Sequence, residues 1–119
     1  LICDVNKVDH EHAKNGILEK INSNIEFDGI FATNDWMALG AIGALAEKSI
    51  RVPEDVKVVG FDGMSISAMT VPAITTINQN TEKMGEYAIE ILMDIITNKN
   101  NSLRNISIPV ELIKRKSTE

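Results

Sequence analysis

Asp28-Gly29-Ile30-Phe31-Ala32-Thr33-Asn34-Asp35-Trp36-Met37-Ala38-Leu39-Gly40 is the stretch on which the reading of the fold turns. Ile25 to Thr33 carries a short apolar run bounded by polar residues, the pattern of a buried strand. Asn34 and Asp35 follow at once, and both are good helix N-cap types. The next helix is expected over Trp36 to Lys48. Its Met37, Leu39, Ala41, Ile42, Leu45 and Ala46 leave little polar surface, so it should be buried on more than one side.

Upstream, Leu1 to Cys3 reads as the end of a strand. Asp9 or Asn6 could cap a helix running to about Asn22, with Ala13, Ile17, Leu18 and Ile21 on one face. Downstream, Val52-Pro53-Glu54-Asp55 reads as a turn. Val56 to Phe61 reads as a second buried strand that ends at Asp62-Gly63. Met64 to Pro72 is expected as a loop or short helix, and Ile74 to Ile77 as a strand. Thr81 to Thr97 is the clearest helix: Met84, Tyr87, Ala88, Ile91, Leu92, Ile95 and Ile96 keep helical spacing throughout. Asn98 to Ser102 is a polar break, and edge-like strands are expected at Arg104 to Ile108 and Val110 to Lys114.

Strands that alternate with helices across short loops predict an α/β domain with a mainly parallel sheet. Ligands of such sheets sit in a crevice at the carboxyl ends of the strands. Asn34-Asp35 and Asp62 fall there, which suggests a small polar ligand. The same residues also suit plain structural work, Asn34 or Asp35 as a cap and Asp62 in a turn with Gly63. Trp36 lies beside that crevice and could stack on a sugar ring, although packing is the commoner use of a tryptophan.

The chain has 119 residues, enough for one domain with a real core. Aromatic residues are 4%, so aliphatic side chains must fill most of that core. The net charge of −5 does not suit a surface that neutralises DNA phosphates. No phosphate-binding glycine loop and no nucleophile elbow is present. His10 and His12 are two apart, point different ways on a helix, and read as a solvated helix start rather than a metal site. No metal and no cofactor is expected. Cys3 reads as a structural thiol, and Lys114-Arg115-Lys116 as a solvated run. No apolar run approaches the length of a membrane span. The opening residues lack an initiating Met and a signal-peptide pattern, which suggests a piece of a longer, cytoplasmic protein.

Four further stretches join the first in order. They are Arg51-Val52-Pro53-Glu54-Asp55-Val56-Lys57-Val58-Val59-Gly60-Phe61-Asp62-Gly63, Pro72-Ala73-Ile74-Thr75-Thr76-Ile77-Asn78-Gln79, Met84-Gly85 and Leu112 to Thr118. Together they resemble the lactose-repressor (LacI/GalR) family of bacterial transcription regulators over nearly the whole chain. The resemblance implies a three-layer α/β/α domain like the periplasmic sugar-binding proteins, with residues 1–119 as the C-terminal part of a two-lobed sensor. It also implies effector contacts, often to a sugar, at Asn34 and Asp62, with Asp35 and Trp36 beside them and Gln79 at the hinge or pocket edge. By the same resemblance a homodimer would use Leu39, Gly43, Ile66, Met69 and Thr70.

Operator DNA would be bound only by a helix-turn-helix that residues 1–119 do not contain, and half of the effector pocket would lie in the other lobe. The family places the 81–97 helix against that lobe. Leaving its apolar stripe bare would expose several side chains, each worth roughly 1.5–3 kcal/mol on burial. The helix is therefore expected to pack elsewhere or to be exchanged between two chains. A secreted sugar-binding protein of a transporter is the competing function. An enzyme of the doubly wound class is disfavoured, because no nucleophile–base pair can be found.

Overall fold

The computed structural model describes residues 3–4, 7–97 and 105–119. In chain order they form α1 (His10–Asn22), β1 (Gly29–Phe31), α2 (Asp35–Glu47), β2 (Lys57–Asp62), α3 (Ile66–Met69), β3 (Thr75–Asn78), α4 (Thr81–Ile96) and β4 (Glu111–Ile113). The sheet order is β1-β2-β3-β4. The first three strands run parallel and β4 pairs antiparallel with β3. This is the α/β class with a mainly parallel sheet that the alternating pattern predicts.

Each helix starts where its sequence allows. Asp9 caps α1 by accepting the His12 amide at 2.8 Å, and the His12 ring lies 2.9 Å from the same carboxylate. The amide bond, and after it the ring, hold the Asp9 carboxyl below its ordinary pKa. Asn34 caps α2 in the same way, its Oδ1 accepting the Met37 amide at 2.8 Å. A cap of this kind is worth about 1 kcal/mol.

α2 is the central element. Ala38, Ala44 and Leu45 are fully buried, and Ile42 and Leu45 meet Val58 and Ile74 of the sheet. Its other side receives Ile17 of α1 against Ala41 and Ala44. Gly40 makes that close seam feasible, since a Cβ there would stand 2.1 Å from the His10 carbonyl oxygen. Val58 and Gly60 face α2, whereas Phe31, Phe61, Ile77 and Leu112 share the opposite face by strand register. On that face the Phe31 and Phe61 rings meet edge to face at 6.3 Å, and Phe31 and Leu112 are exposed.

The chain end closes the sheet in a way the sequence does not announce. Ser117 is fully buried. Its carbonyl accepts the Val58 amide at 3.0 Å, and its amide donates to Ala73 at 2.9 Å. Its hydroxyl donates to the Val58 carbonyl and accepts the Thr75 amide. One residue thereby bridges β2 and β3 just before their own pairing begins at Val59 and Thr75. Arg115, expected in a solvated run, instead donates to the Ser67 hydroxyl and the Ile74 carbonyl at 3.0 and 2.8 Å.

Other departures are at the ends. The first strand spans Gly29–Phe31 rather than Ile25 to Thr33. Residues 105–108 form no strand, and neither does Cys3. Leu1, Ile2, Asn6, Arg104 and the break at Asn98 to Ser102 lie outside the described residues. Thr81–Ile96 is helical as its spacing predicts, yet none of its residues is buried, so the expected packing of this helix elsewhere in the chain is not found among the described residues. The molecule is correspondingly elongated. Its radius of gyration is 18.0 Å, against about 13.5 Å for a compact chain of this length.

Before β2, Arg51 grips Asp55 through two guanidinium bonds of 2.8 and 2.6 Å and its own amide at 2.9 Å. The guanidinium bonds first, then the amide, lower the Asp55 pKa from 3.8 to about 2. Such a carboxylate stabilises the fold above its ordinary pKa, and the contribution is lost as pH falls through about 2. Asp55→Asn should lower the unfolding midpoint slightly at neutral pH. The gap to the parent should close as acid titrations pass from 3.8 to about 2; a pH-independent gap would contradict this origin.

Candidate functional site

The parallel register brings the polar residues of the strand ends together. Phe31 is opposite Val59, so Asn34 and Asp62 each leave their strands three residues later. Asp62 is in turn opposite Asn78 of β3, with Gln79 one residue on. Asn34, Asp62 and Gln79 thus lie at the carboxyl ends of β1, β2 and β3, and of these Asp62 and Gln79 are in hydrogen-bond contact. Those ends are the edge at which open α/β sheets bind ligands.

Asn34 is half-buried, in extended backbone, and spends its Oδ1 on the α2 cap. The cap does not use its Nδ2, which leaves a donor at the edge. Asp62 is half-buried and sits at φ 96°, in the left-handed region. Strain of that kind costs about 1–3 kcal/mol for a residue other than glycine. Gln79 Nε2 donates to Asp62 Oδ1, so the residue expected at the hinge or pocket edge is docked on the carboxylate. Gly63 follows at φ 70°, and a Cβ there would stand 2.9 Å from Asn78 Cα. Only glycine fits this turn.

Asp35 has a different position from the one expected of it. It is fully buried, and both carboxylate oxygens are taken by protein donors. Thr76 Oγ1 donates to Oδ1 and the Met64 amide to Oδ2, each at 2.6 Å. Its carboxylate therefore faces β3 and the turn, not the open edge. The Asn-Asp pair divides its work, one residue at the helix cap and edge, the other beneath it. Trp36 is 42% exposed, with its ring 6.4 Å from that of His10.

The five interface candidates separate as well. Met69 is 74% exposed. Leu39 and Ile66 are half-buried. Thr70 is half-buried and bonds the Pro72 carbonyl at 2.8 Å. Gly43 lies on the α1–α2 seam, where a Cβ would stand 3.8 Å from Lys14 Cδ. Val71, 94% exposed, and Met64 join Met69 as exposed apolar side chains around α3. Thr76 was not singled out by sequence reasoning. The signal was present: a Thr-Thr pair in a buried strand must find hydrogen-bond partners.

Concave surface elsewhere lies along β1, lined by Cys3, Ile17, Phe27, Phe31 and Thr33, and is mainly apolar. No group of His, Cys, Asp and Glu suited to a metal is found among the described residues. No helix among them is long and apolar enough to cross a membrane. The edge can thus offer an amide donor, a carboxylate acceptor and a glutamine, which is hydrogen-bonding chemistry for a polar small molecule.

Comparison with known proteins places this geometry. A family model described as a periplasmic binding protein-like domain matches residues 4–118. The HTH-type transcriptional repressor PurR of Haemophilus influenzae is 45% identical over 93 residues, covering 76% of this chain and 28% of that protein. A LacI family transcriptional regulator from Arthrobacter sp. FB24, solved in complex with lactose, superimposes with a TM-score of 0.86 at 30% identity. The match covers 95% of this chain and 43% of that one. The lac repressor dimer bound to operator and the anti-inducer ONPF gives 0.86 at 31% identity, over 92% of this chain and 38% of that one. The chain thus spans less than half the length of the proteins it matches. It belongs to the periplasmic binding protein-like domain family, in the lactose-repressor (LacI/GalR) branch.

Proposed function

We propose that this chain is the C-terminal part of the effector-sensing and dimerisation domain of a cytoplasmic transcription repressor. The reading is supported by the position of Asn34 just after β1 and of Asp62 at the end of the neighbouring parallel strand β2. Asn34 Nδ2 donates to the effector, Asp62 accepts from it, and Gln79 holds Asp62 in place. Asp35 supports the edge from below and Trp36 flanks it. The facing wall of the pocket and the operator-binding helix-turn-helix lie outside residues 1–119. A sugar is the favoured effector, since vicinal hydroxyls match a carboxylate and an amide and a solved relative is complexed with lactose. Effector binding changes operator affinity through linkage between the two sites.

Self-association uses the apolar surface around α3, with Met69 at its centre and Leu39, Ile66 and Thr70 behind it. A solved relative is a dimer on its operator. In the family arrangement, α4 packs on the lobe outside these residues, which accounts for its bare apolar stripe.

Sugars and purine bases screened against the full-length protein should include one that raises its melting temperature, by mass action. Asn34→Ala and Asp62→Ala should each weaken that ligand, by on the order of 1.5–3 kcal/mol where a charged hydrogen bond is lost. Unchanged affinity in both variants would remove the site assignment. Met69→Glu, at an exposed position that the fold tolerates, should shift sedimentation toward monomer; an unchanged dimer would rule out this surface.

A further inference from the structure

We infer that Asp35 is a positioning residue, whose one buried carboxylate fixes both the turn that presents Asp62 and the start of the segment that carries Met69. The inference rests on the proposed reading of that edge, and it concerns what holds the edge in shape.

Consecutive amides end on this carboxylate. Met64 donates to Oδ2 directly, and Gly63 donates at 3.2 Å to the Thr76 hydroxyl that itself donates to Oδ1. Those amides follow Asp62 and Gly63, both in the left-handed region. The turn has no preference of its own for that shape at Asp62, so something must impose it. Starting α2 is not a sufficient reason for Asp35, because Asn34 already supplies the side-chain cap. Burying a carboxylate is costly unless its partners are fixed. Here the space is kept for it: a Cβ at Gly60 would stand 2.2 Å from Asp35 Oδ1. The positive end of α2 also favours the charge.

The next peptide is held as well. The Met64 carbonyl accepts both the amide and the hydroxyl of Ser67, the buried residue of α3. Ser67 in turn accepts from Arg115. Met64 is thus bonded on both sides, with Asp62 two residues before it and the Met69 segment after it. The bond to Asp35 therefore sits between the effector edge and the start of the apolar surface.

Amide hydrogen exchange on the full-length protein without effector tests this. Asp35→Asn keeps the shape and removes the charge. Exchange at Gly63 and Met64 should accelerate by about tenfold or more, as expected for loss of a charged hydrogen bond. Exchange at Ile17 and Leu45 should stay within about twofold, since distant cooperative units open separately. The Gln79 side-chain amide resonances, which report its bond to Asp62, should move as well. Unchanged exchange at Met64, or equal acceleration at Ile17 and Leu45, would overturn the inference.

Should the variant not fold, the parent protein decides. Met64 exchanging as slowly as Leu45 supports the anchor, and exchange at the rate of an exposed loop refutes it. The two readings also fail separately. If Asn34→Ala and Asp62→Ala leave binding unchanged while Asp35→Asn frees Met64, the effector assignment falls and the anchor stands.

Discussion

A buried carboxylate with two protein donors organises this fold around a point just beneath its ligand edge. Asp35 of α2 bonds Thr76 of β3 and the Met64 amide before α3, and lies against Gly60 of β2. Left unpaired, such a group would destabilise the interior by several kcal/mol. Satisfied, it holds the turn in which Asp62 sits at φ 96°. One charge-assisted bond of about 1.5–3 kcal/mol offsets strain of about 1–3 kcal/mol. The polar edge is thus rigid because of what lies under it.

Much of this arrangement is legible from local pattern. Asn34 is a capping residue that follows an apolar run and precedes a helical one, and it caps. Asp9 is likewise the cap of α1. Asp62 ends a β-rich run before glycine, and it lies at the strand end. What resists reading depends on distant partners. Asp35 looks identical in sequence to a residue that faces ligand, and only Thr76, 41 positions on, turns it inward. Arg115 and Ser117 sit in a run that resembles a solvated tail. The burial of Ser117 depends on a gap between β2 and β3 that no periodicity shows.

The exposed apolar surfaces follow the same logic. Phe31 and Leu112 on the sheet, the apolar side chains Met84, Leu92, Ile95 and Ile96 of α4, and Met69 with Val71 are all exposed within the described residues. The sheet face and α4 carry the periodicity of buried elements, yet among the described residues nothing buries them. This agrees with the chain covering 28% of a repressor relative and 38% of a solved one. The body built on α1, α2 and the sheet keeps a core of its own around Leu45, Val58 and Ile74.

Where ligand binds is the question on which the account stands, and nuclear magnetic resonance answers it directly. The full-length protein, labelled on nitrogen, would be titrated with a sugar that raises its melting temperature. The account predicts that the largest shifts fall at Asn34 to Trp36, Asp62 to Met64 and Gln79. Shifts centred instead on Cys3, Ile17 and Phe31, the apolar hollow along β1, would contradict it.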